Sequence, residues 1–452
     1  MMTGIGLVLL AAVGLNGALA GGSPDALRKA FAEVLSGEAL VTRVEPTAGN
    51  ALRVSFTQCP SPVSFIRCEM RLPAPTDWDG RLWGLGNGGW AGRVGCSVVG
   101  SSATVESDLG TSRLSIGTNP VDPEILKDFG WRATHLMTVA ARRIVRAYYG
   151  KDAHHAYFYG ESTGGGQGLC EVQRYPEDYD GVIAGVPAFD RSTRATTIWQ
   201  RNELQKRFGK WFTDAEQAAI RKAELAVFAR TDPPEARGRF IWNPHPTPEK
   251  LAACWSEIVS ECPALADRKE LWYAMFEPVV VNGRRLAPGQ LLGVEFAYPW
   301  TFMLEKRTGP REGGAKMTAE ELLAFSEDPD LAFKSADLSA FRARGGKLIV
   351  YSGLEDEAIP PRAVAEYHAA VEDRDGPSVD TDGYFAFYEI PGRWHSHEGK
   401  KDGTLGSTGQ PRDLNEKIIA WVERGIPPGT LEVPFVREPN RSIHVAPLAQ
   451  GE

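Results

Sequence analysis

The stretch Ala156-Tyr-Phe-Tyr-Gly160-Glu-Ser162-Thr-Gly164 constrains this chain more than any other. Ala156 to Tyr159 reads as a short buried strand, a G-x-S-x-G turn follows at once, and Gln167 to Arg174 reads as a helix. A backbone that passes from strand to helix around a serine holds that serine in a strained conformation, and the flanking glycines leave room for it. The turn lifts the Ser162 side chain above a sheet edge, at the start of a helix whose free N–H groups favour negative charge. Strand, tight turn and helix form the unit of an α/β fold, in which helices flank a mostly parallel sheet. Ser162 is thus the candidate nucleophile, against the plainer reading of a Gly/Ser/Thr loop without chemistry.

A serine nucleophile of this type needs a carboxylate and a histidine later in the chain, each just beyond a strand, because loops at the carboxyl ends of parallel strands meet at one edge. Lys347-Leu-Ile-Val-Tyr351 reads as a strand leading to Asp356, and Phe385-Ala-Phe-Tyr-Glu-Ile390 as a strand leading to His395. In this arrangement His395 is the base and Asp356 the acid that orients it. Glu355 and Glu357 compete with Asp356 for that role. The oxyanion hole takes the backbone N–H of Thr163 and one from the Gly-rich turn after the strand Leu82 to Leu85, with Gly88 and Gly89 as the candidates. His395-Ser396-His397 contains an H-x-H pair, but no matching ligands accompany it, so no metal is expected and His397 reads as a surface or pocket-rim residue.

Other segments fill in the organisation. Leu136, Val139, Ala140, Ile144 and Ala147 stand at helical spacing in a run ended by Gly150, and further helices are expected over Asp214 to Ala229, from Pro361, and over Asp413 to Arg424. Between about residues 191 and 340 the strand–helix rhythm disappears. That stretch holds Trp199, Trp211, Trp242, Trp255, Trp272 and Trp300, half of the chain's 12 tryptophans. An aromatic-rich insertion in an α/β core reads as a lid, with each Trp either lining a substrate pocket or packing in a core. The expected division is a core over 21–190 and 341–452, with a lid over 191–340.

The formal charge of −8 and the absence of a long Lys/Arg run argue against nucleic acid or an anionic membrane surface as a partner. Residues 1–20 carry no charged side chain, and Ile5 to Val13 is an apolar run followed by the small-x-small sequence Ala18-Leu19-Ala20. This reads as a signal peptide and predicts a secreted or periplasmic protein, although the usual basic residue at the start is lacking. The 6 cysteines, Cys59, Cys68, Cys96, Cys170, Cys254 and Cys262, read as structural disulfides or buried thiols, with Cys59 and Cys68, and Cys254 and Cys262, the nearest pairs.

Taken together, Gly160-Glu-Ser-Thr-Gly-Gly165, Gln167-Gly168, Gln173-Arg-Tyr-Pro-Glu-Asp-Tyr-Asp-Gly181 and Ala184-Gly-Val-Pro-Ala188 resemble the tannase and feruloyl esterase family. Gly86-Asn-Gly-Gly-Trp90, Gly345-Gly-Lys-Leu348, Gly353-Leu-Glu-Asp356 and Pro391-Gly-Arg-Trp-His395 follow in that family's order. The resemblance implies an α/β-hydrolase core with a large inserted lid, and hydrolysis of esters of aromatic acids such as ferulate or gallate. A terephthalate monoester or an aliphatic or polyester fragment is the alternative substrate for the same triad, and an idle aromatic-ligand-binding protein the alternative of another class.

Two departures from the family pattern stand out. Members commonly carry cysteines directly before the nucleophile and directly after the histidine, joined as a disulfide; here these positions are Glu161 and Ser396. A hydrogen bond between Glu161 and Ser396 is the expected replacement, with the Glu161 carboxylate raising the pKa of His395. The family's lid often binds calcium through an acidic loop, and none aligns between Phe228 and Cys254, so no cofactor is carried over. A small aromatic ester is the expected partner.

Overall fold

The computed structural model describes residues 19, 21–112, 121–209, 211–237, 239–291, 318–395 and 408–449. Its centre is a nine-stranded sheet in the order β1-β2-β3-β5-β4-β6-β7-β10-β11. The strands are β1 Ala39–Pro46, β2 Leu52–Gln58, β3 Ile66–Leu72, β4 Arg81–Leu85, β5 Ala103–Ser107, β6 His155–Glu161, β7 Gly181–Gly185, β10 Lys347–Gly353 and β11 Phe385–Ile390. β1, β2, β3 and β5 pair antiparallel in turn, whereas β5, β4, β6, β7, β10 and β11 all run parallel. Two short hairpins stand apart from this sheet, β8 Val279–Val281 with β9 Arg284–Ala287, and β12 Leu431–Pro434 with β13 Ser442–Val445.

Side-chain patterning explains the division. β7 is buried at every position and β10 at all but its first, as expected where helices cover both faces of parallel strands, and their sequences are correspondingly unbroken apolar runs. β3 alternates buried with half-buried residues, because only one of its faces is packed tightly. The helices 133–149, 163–174, 361–375 and 414–424 clothe the parallel half, and Pro24–Val34, capped by the Ser23 hydroxyl, packs near β1. One hydrophobic core lies on each side of the sheet: Phe158, Val182, Leu348 and Phe387 belong to one, and Tyr157, Ile183, Ile349 and Tyr388 to the other. This assignment alternates residue by residue along β6, β7, β10 and β11, as the two-residue repeat of a strand requires.

The helix expected before Gly150 forms as Ala133–Tyr149. The buried stripe of the helix Ala133–Tyr149 is Ala133, Met137, Ala140, Ala141, Ile144, Val145 and Tyr148. Of the apolar positions read from the sequence, Ala140 and Ile144 are buried, and Leu136, Val139 and Ala147 are half-buried. Of the two readings open for the tryptophans, Trp211, Trp255 and Trp272 take the core one: with Phe212, Ile220 and Ile258 they make a separate apolar core. Trp300 lies outside the described residues. All six cysteines are unpaired, Cys68, Cys170 and Cys254 as buried thiols, so neither Cys59–Cys68 nor Cys254–Cys262 forms a disulfide.

Between β7 and β10 the described chain adds no strand to the large sheet, and supplies instead the helices 192–208, 214–228 and 248–261 and the β8–β9 hairpin. Of residues 1–20, read from the sequence as a signal peptide, all but Leu19 lie outside the described residues. Among the described residues no helix is long and apolar enough to cross a membrane.

Candidate active site

β6 ends at Glu161 and the next helix starts at Thr163, so Ser162 alone makes the turn. It does so at φ +59° and ψ −119°, a region that non-glycine residues occupy only at a cost of about 1–3 kcal/mol. Backbone hydrogen bonds hold it there: Ser162 N–H donates to Gly185 O at 3.0 Å, and Ala188 N–H donates to Ser162 O at 2.8 Å. The flanking glycines are sterically required. A Cβ on Gly160 would stand 2.4 Å from the Gly164 carbonyl carbon, and one on Gly165 would stand 2.4 Å from Gly185 O. The absence of those methyl groups lets the helix close directly onto β6 and β7.

β10 and β11 deliver the two remaining groups to the same edge. His395 Nε2 is 2.8 Å from Ser162 Oγ, and its Nδ1 is 2.8 Å from Asp356 Oδ2. Asp356 is held by its other oxygen, which accepts from the N–H groups of Ala358 and Ile359 at 2.7 Å each. Its carboxylate is thus aimed by the backbone of its own loop. The neighbouring acids are occupied elsewhere: Glu355 pairs with Arg221 at 2.6 Å, and Glu357 accepts from the His395 backbone N–H at 3.2 Å.

Two opposed effects set the basicity of His395. Burial disfavours the imidazolium, while the charge and hydrogen bond of Asp356, and then the charge of Glu357, favour it; the net pKa lies above the ordinary histidine value. Asp356 is buried, whereas about 22 % of the His395 side chain remains exposed, so the imidazole can meet a ligand from outside.

The Gly-rich turn after β4 reaches this site through another close approach: a Cβ on Gly86 would stand 2.6 Å from Gly164 Cα. The Asn87 N–H is taken by Gln167 Oε1 at 3.1 Å. Thr163 Oγ1 donates to Gly89 O at 2.6 Å. No described group accepts from the N–H of Gly88, Gly89 or Thr163, and positions 88 and 89 face open space. These N–H groups are therefore available to an oxygen atom arriving at the helix N-terminus.

Glu161 has partners that sequence reasoning missed. Arg393 Nη2 donates to Glu161 Oε1 at 3.1 Å, and the Tyr351 hydroxyl donates to the same oxygen. Arg393 is a buried cation two residues before His395, and Glu161 directly precedes Ser162, so the ion pair joins the two loops at their bases. Ser396 and His397 lie outside the described residues. The charges that raise the pKa of His395 are those of Asp356 and Glu357; Glu161 lies against the Arg393 cation instead. The signal for this pair is Arg393 itself, an arginine inside the otherwise apolar approach to His395.

Among the described residues, one group of side chains has the composition of a metal site, His135, Glu171 and Asp178, with candidate ligand atoms within 4.8 Å of one another. Burial and the neighbouring Asp178 push the Glu171 carboxyl well above the carboxylate range, while His135 Nδ1 is 2.7 Å from Asp178 Oδ2.

Comparison with known proteins gives the family. Residues 53–234 and 324–446 match the family model described as tannase and feruloyl esterase. A protein named Probable feruloyl esterase from Arthroderma benhamiae is 29% identical over 407 residues, covering 80% of this chain and 74% of its own length. Probable feruloyl esterase B-2 from Aspergillus terreus is 26% identical over 435 residues, covering 88% and 81%. Among solved structures, the tannin acyl hydrolase from Aspergillus niger superposes with a TM-score of 0.73 at 18% identity, over 93% of this chain and 91% of that one. Feruloyl esterase B from Aspergillus oryzae gives 0.70 at 23% identity, over 92% and 95%. The chain belongs to the tannase and feruloyl esterase family, and is a carboxylic ester hydrolase on an α/β-hydrolase fold.

Proposed function

We propose that this hydrolase cleaves esters of aromatic acids through an acyl-enzyme on Ser162. The observation that carries the proposal is the continuous hydrogen-bonded line Ser162–His395–Asp356, with both links at 2.8 Å, built on a strained serine turn. Ser162 Oγ attacks the ester carbonyl as its proton passes to His395 Nε2. The negative charge that develops on the carbonyl oxygen is met by the Thr163 N–H together with that of Gly88 or Gly89. His395 then returns the proton to the departing alcohol. A water molecule, deprotonated by the same nitrogen, attacks the acyl-enzyme and releases the acid and free Ser162. Asp356 keeps the Nδ1 proton in place and stabilises the imidazolium without itself taking the proton.

Feruloyl and galloyl esters are the substrates favoured here, since the matched relatives are named for feruloyl ester and tannin acyl hydrolysis. Residues 191–340 act as the lid over the acyl group, a reading supported by their separate aromatic core and by the Arg221–Glu355 ion pair to the acid loop. The apolar, uncharged N-terminus supports export from the cytoplasm.

The test is hydrolysis of methyl ferulate, methyl gallate, mono-hydroxyethyl terephthalate and p-nitrophenyl butyrate by the wild type, Ser162→Ala and Asp356→Asn. Turnover of the first two should exceed that of the others and vanish in Ser162→Ala. Asp356→Asn should lose on the order of 10⁴-fold in kcat, because the amide stabilises the wrong imidazole tautomer. Undiminished turnover by Ser162→Ala would end the acyl-enzyme reading, and a preference for the terephthalate or butyrate ester would end the substrate reading.

A further inference from the structure

Arg191 stands in no recognised motif, and among the described residues its guanidinium has no counter-ion. It follows the loop after β7, where the neighbouring Asp190 is already occupied by Lys334 Nζ at 3.2 Å and by the Ser192 hydroxyl at 2.6 Å. No described carboxylate pairs with Arg191. Its Nη1 donates to Thr163 Oγ1 at 3.0 Å, its Nε is buried without an acceptor, and its Cζ lies 4.8 Å from the centre of the Phe129 ring. The ring of Trp90, beside the Gly-rich turn, packs against the other partner in this cluster, Phe129, at 4.3 Å. Burial with no opposing charge pulls the Arg191 pKa down to about 10, which still leaves it cationic at neutral pH. A cation drawn partly out of water with no described counter-ion costs stability, which the Thr163 hydrogen bond and the Phe129 ring offset only in part.

The position of the charge suggests what it does. The Thr163 hydroxyl that accepts from Arg191 donates in turn to Gly89 O at 2.6 Å. Guanidinium, hydroxyl and carbonyl therefore form one chain joining the loop after β7, the nucleophile helix and the Gly-rich turn. The last two are the segments whose free N–H groups face the reacting oxygen in the reaction proposed above.

We propose that Arg191 is a positioning residue of the oxyanion hole: it fixes the Thr163 hydroxyl and, through it, Gly89, and places an uncompensated positive charge close to the oxygen that becomes negative. The inference rests on the acyl-enzyme reading of Ser162. It concerns the transition state and not ground-state binding, so its effect belongs in kcat.

The experiment compares Arg191→Met, Arg191→Lys, Thr163→Val and the Arg191→Met/Thr163→Val double variant with wild type and Ser162→Ala. Readouts are kcat and KM on p-nitrophenyl acetate and on mono-hydroxyethyl terephthalate, the rate of Ser162 labelling by diethyl p-nitrophenyl phosphate, and the melting temperature. Arg191→Met should lower kcat and the labelling rate by about 10- to 100-fold, less than loss of a direct donor, with KM within about twofold. Its melting temperature should not fall, because a half-buried charge with no described counter-ion has been removed. Arg191→Lys should recover part of the loss, and the double variant should be no slower than the slower single one, since both break the same chain.

A lower melting temperature with unchanged kcat in Arg191→Met would make the residue merely structural and overturn the proposal. So would a raised KM confined to mono-hydroxyethyl terephthalate, which would mark a subsite for a substrate carboxylate. Should Arg191→Met fail to fold, Arg191→Lys and Thr163→Val carry the same comparison, and full kcat in both refutes it. Failure of the underlying reading is separately visible as an unlabelled Ser162 in wild type.

Discussion

Replacing Glu161 tests whether an ion pair braces the site at the position where sequence comparison leads one to expect a disulfide. Arg393 is fully buried and about 14 % of the Glu161 side chain is exposed, so Glu161→Ala takes a carboxylate away from a buried cation and removes the acceptor of the Tyr351 hydroxyl. Breaking a buried pair from one side costs about 3–5 kcal/mol, and the partial exposure of the carboxylate argues for the lower figure, ~3 kcal/mol. At roughly 2 °C per kcal/mol for a large domain, the melting temperature should drop by about 6 °C. Glu161→Gln keeps an oxygen acceptor for both partners and should lose about half as much. Because the pair joins the residue before Ser162 to the residue two before His395, kcat on p-nitrophenyl acetate should fall as well, by about tenfold or more. Removing both charges together, as Glu161→Leu/Arg393→Met, should destabilise less than Glu161→Ala alone, since no charge is left uncompensated. Calorimetric melting and steady-state kinetics measure all of this. A melting temperature within about 1 °C of wild type and an unchanged kcat in Glu161→Ala would refute the reasoning.

Three further outcomes are expected. Because the base must be neutral to accept the Ser162 proton, a raised His395 pKa moves the acidic limb of the kcat/KM profile to higher pH; Glu357→Gln removes one of the charges that raise it and should move that limb to lower pH, whereas an unmoved limb would show that Glu357 does not act on His395. Titration of the unfolded, unreduced protein with a thiol reagent should count six thiols, and a reductant should leave the melting temperature unchanged; four or fewer thiols would reveal a disulfide that the structure does not contain. Gly160→Ala should destabilise by about 1–3 kcal/mol or more, because its methyl group must displace the Gly164 backbone at 2.4 Å, and a neutral effect measured by denaturant unfolding would contradict the close approach.

The division between what sequence and structure each reveal follows from the range of the forces involved. The serine turn was legible because it is local: a strand, a strained residue and a helix must be encoded within about a dozen consecutive positions, and the glycines that permit it stand inside that window. The parallel strands carrying Asp356 and His395 were legible for a related reason, since strands covered on both faces are unbroken apolar runs, and the turns after them must hold the polar residues.

Other features depended on distance in the chain. The helix 133–149 was legible from its spacing, but not that Ala133 and Ala141 share its buried face, since alanines are too small to mark an apolar pattern. The tryptophans of the insertion looked equally suited to pocket or core, and contacts between segments up to some sixty residues apart put three of them in a core. Glu161 and Arg393 are 232 positions apart, Arg191 and Thr163 are 28, and Thr163 and Gly89 are 74. No periodicity or local motif relates such residues. By itself, then, the sequence determined the α/β class, the nucleophile turn and the identity of the groups that could serve it. Only the tertiary structure decided which charge meets which, because pairing between distant residues is settled by the sheet order and close glycine contacts that bring their loops to one edge.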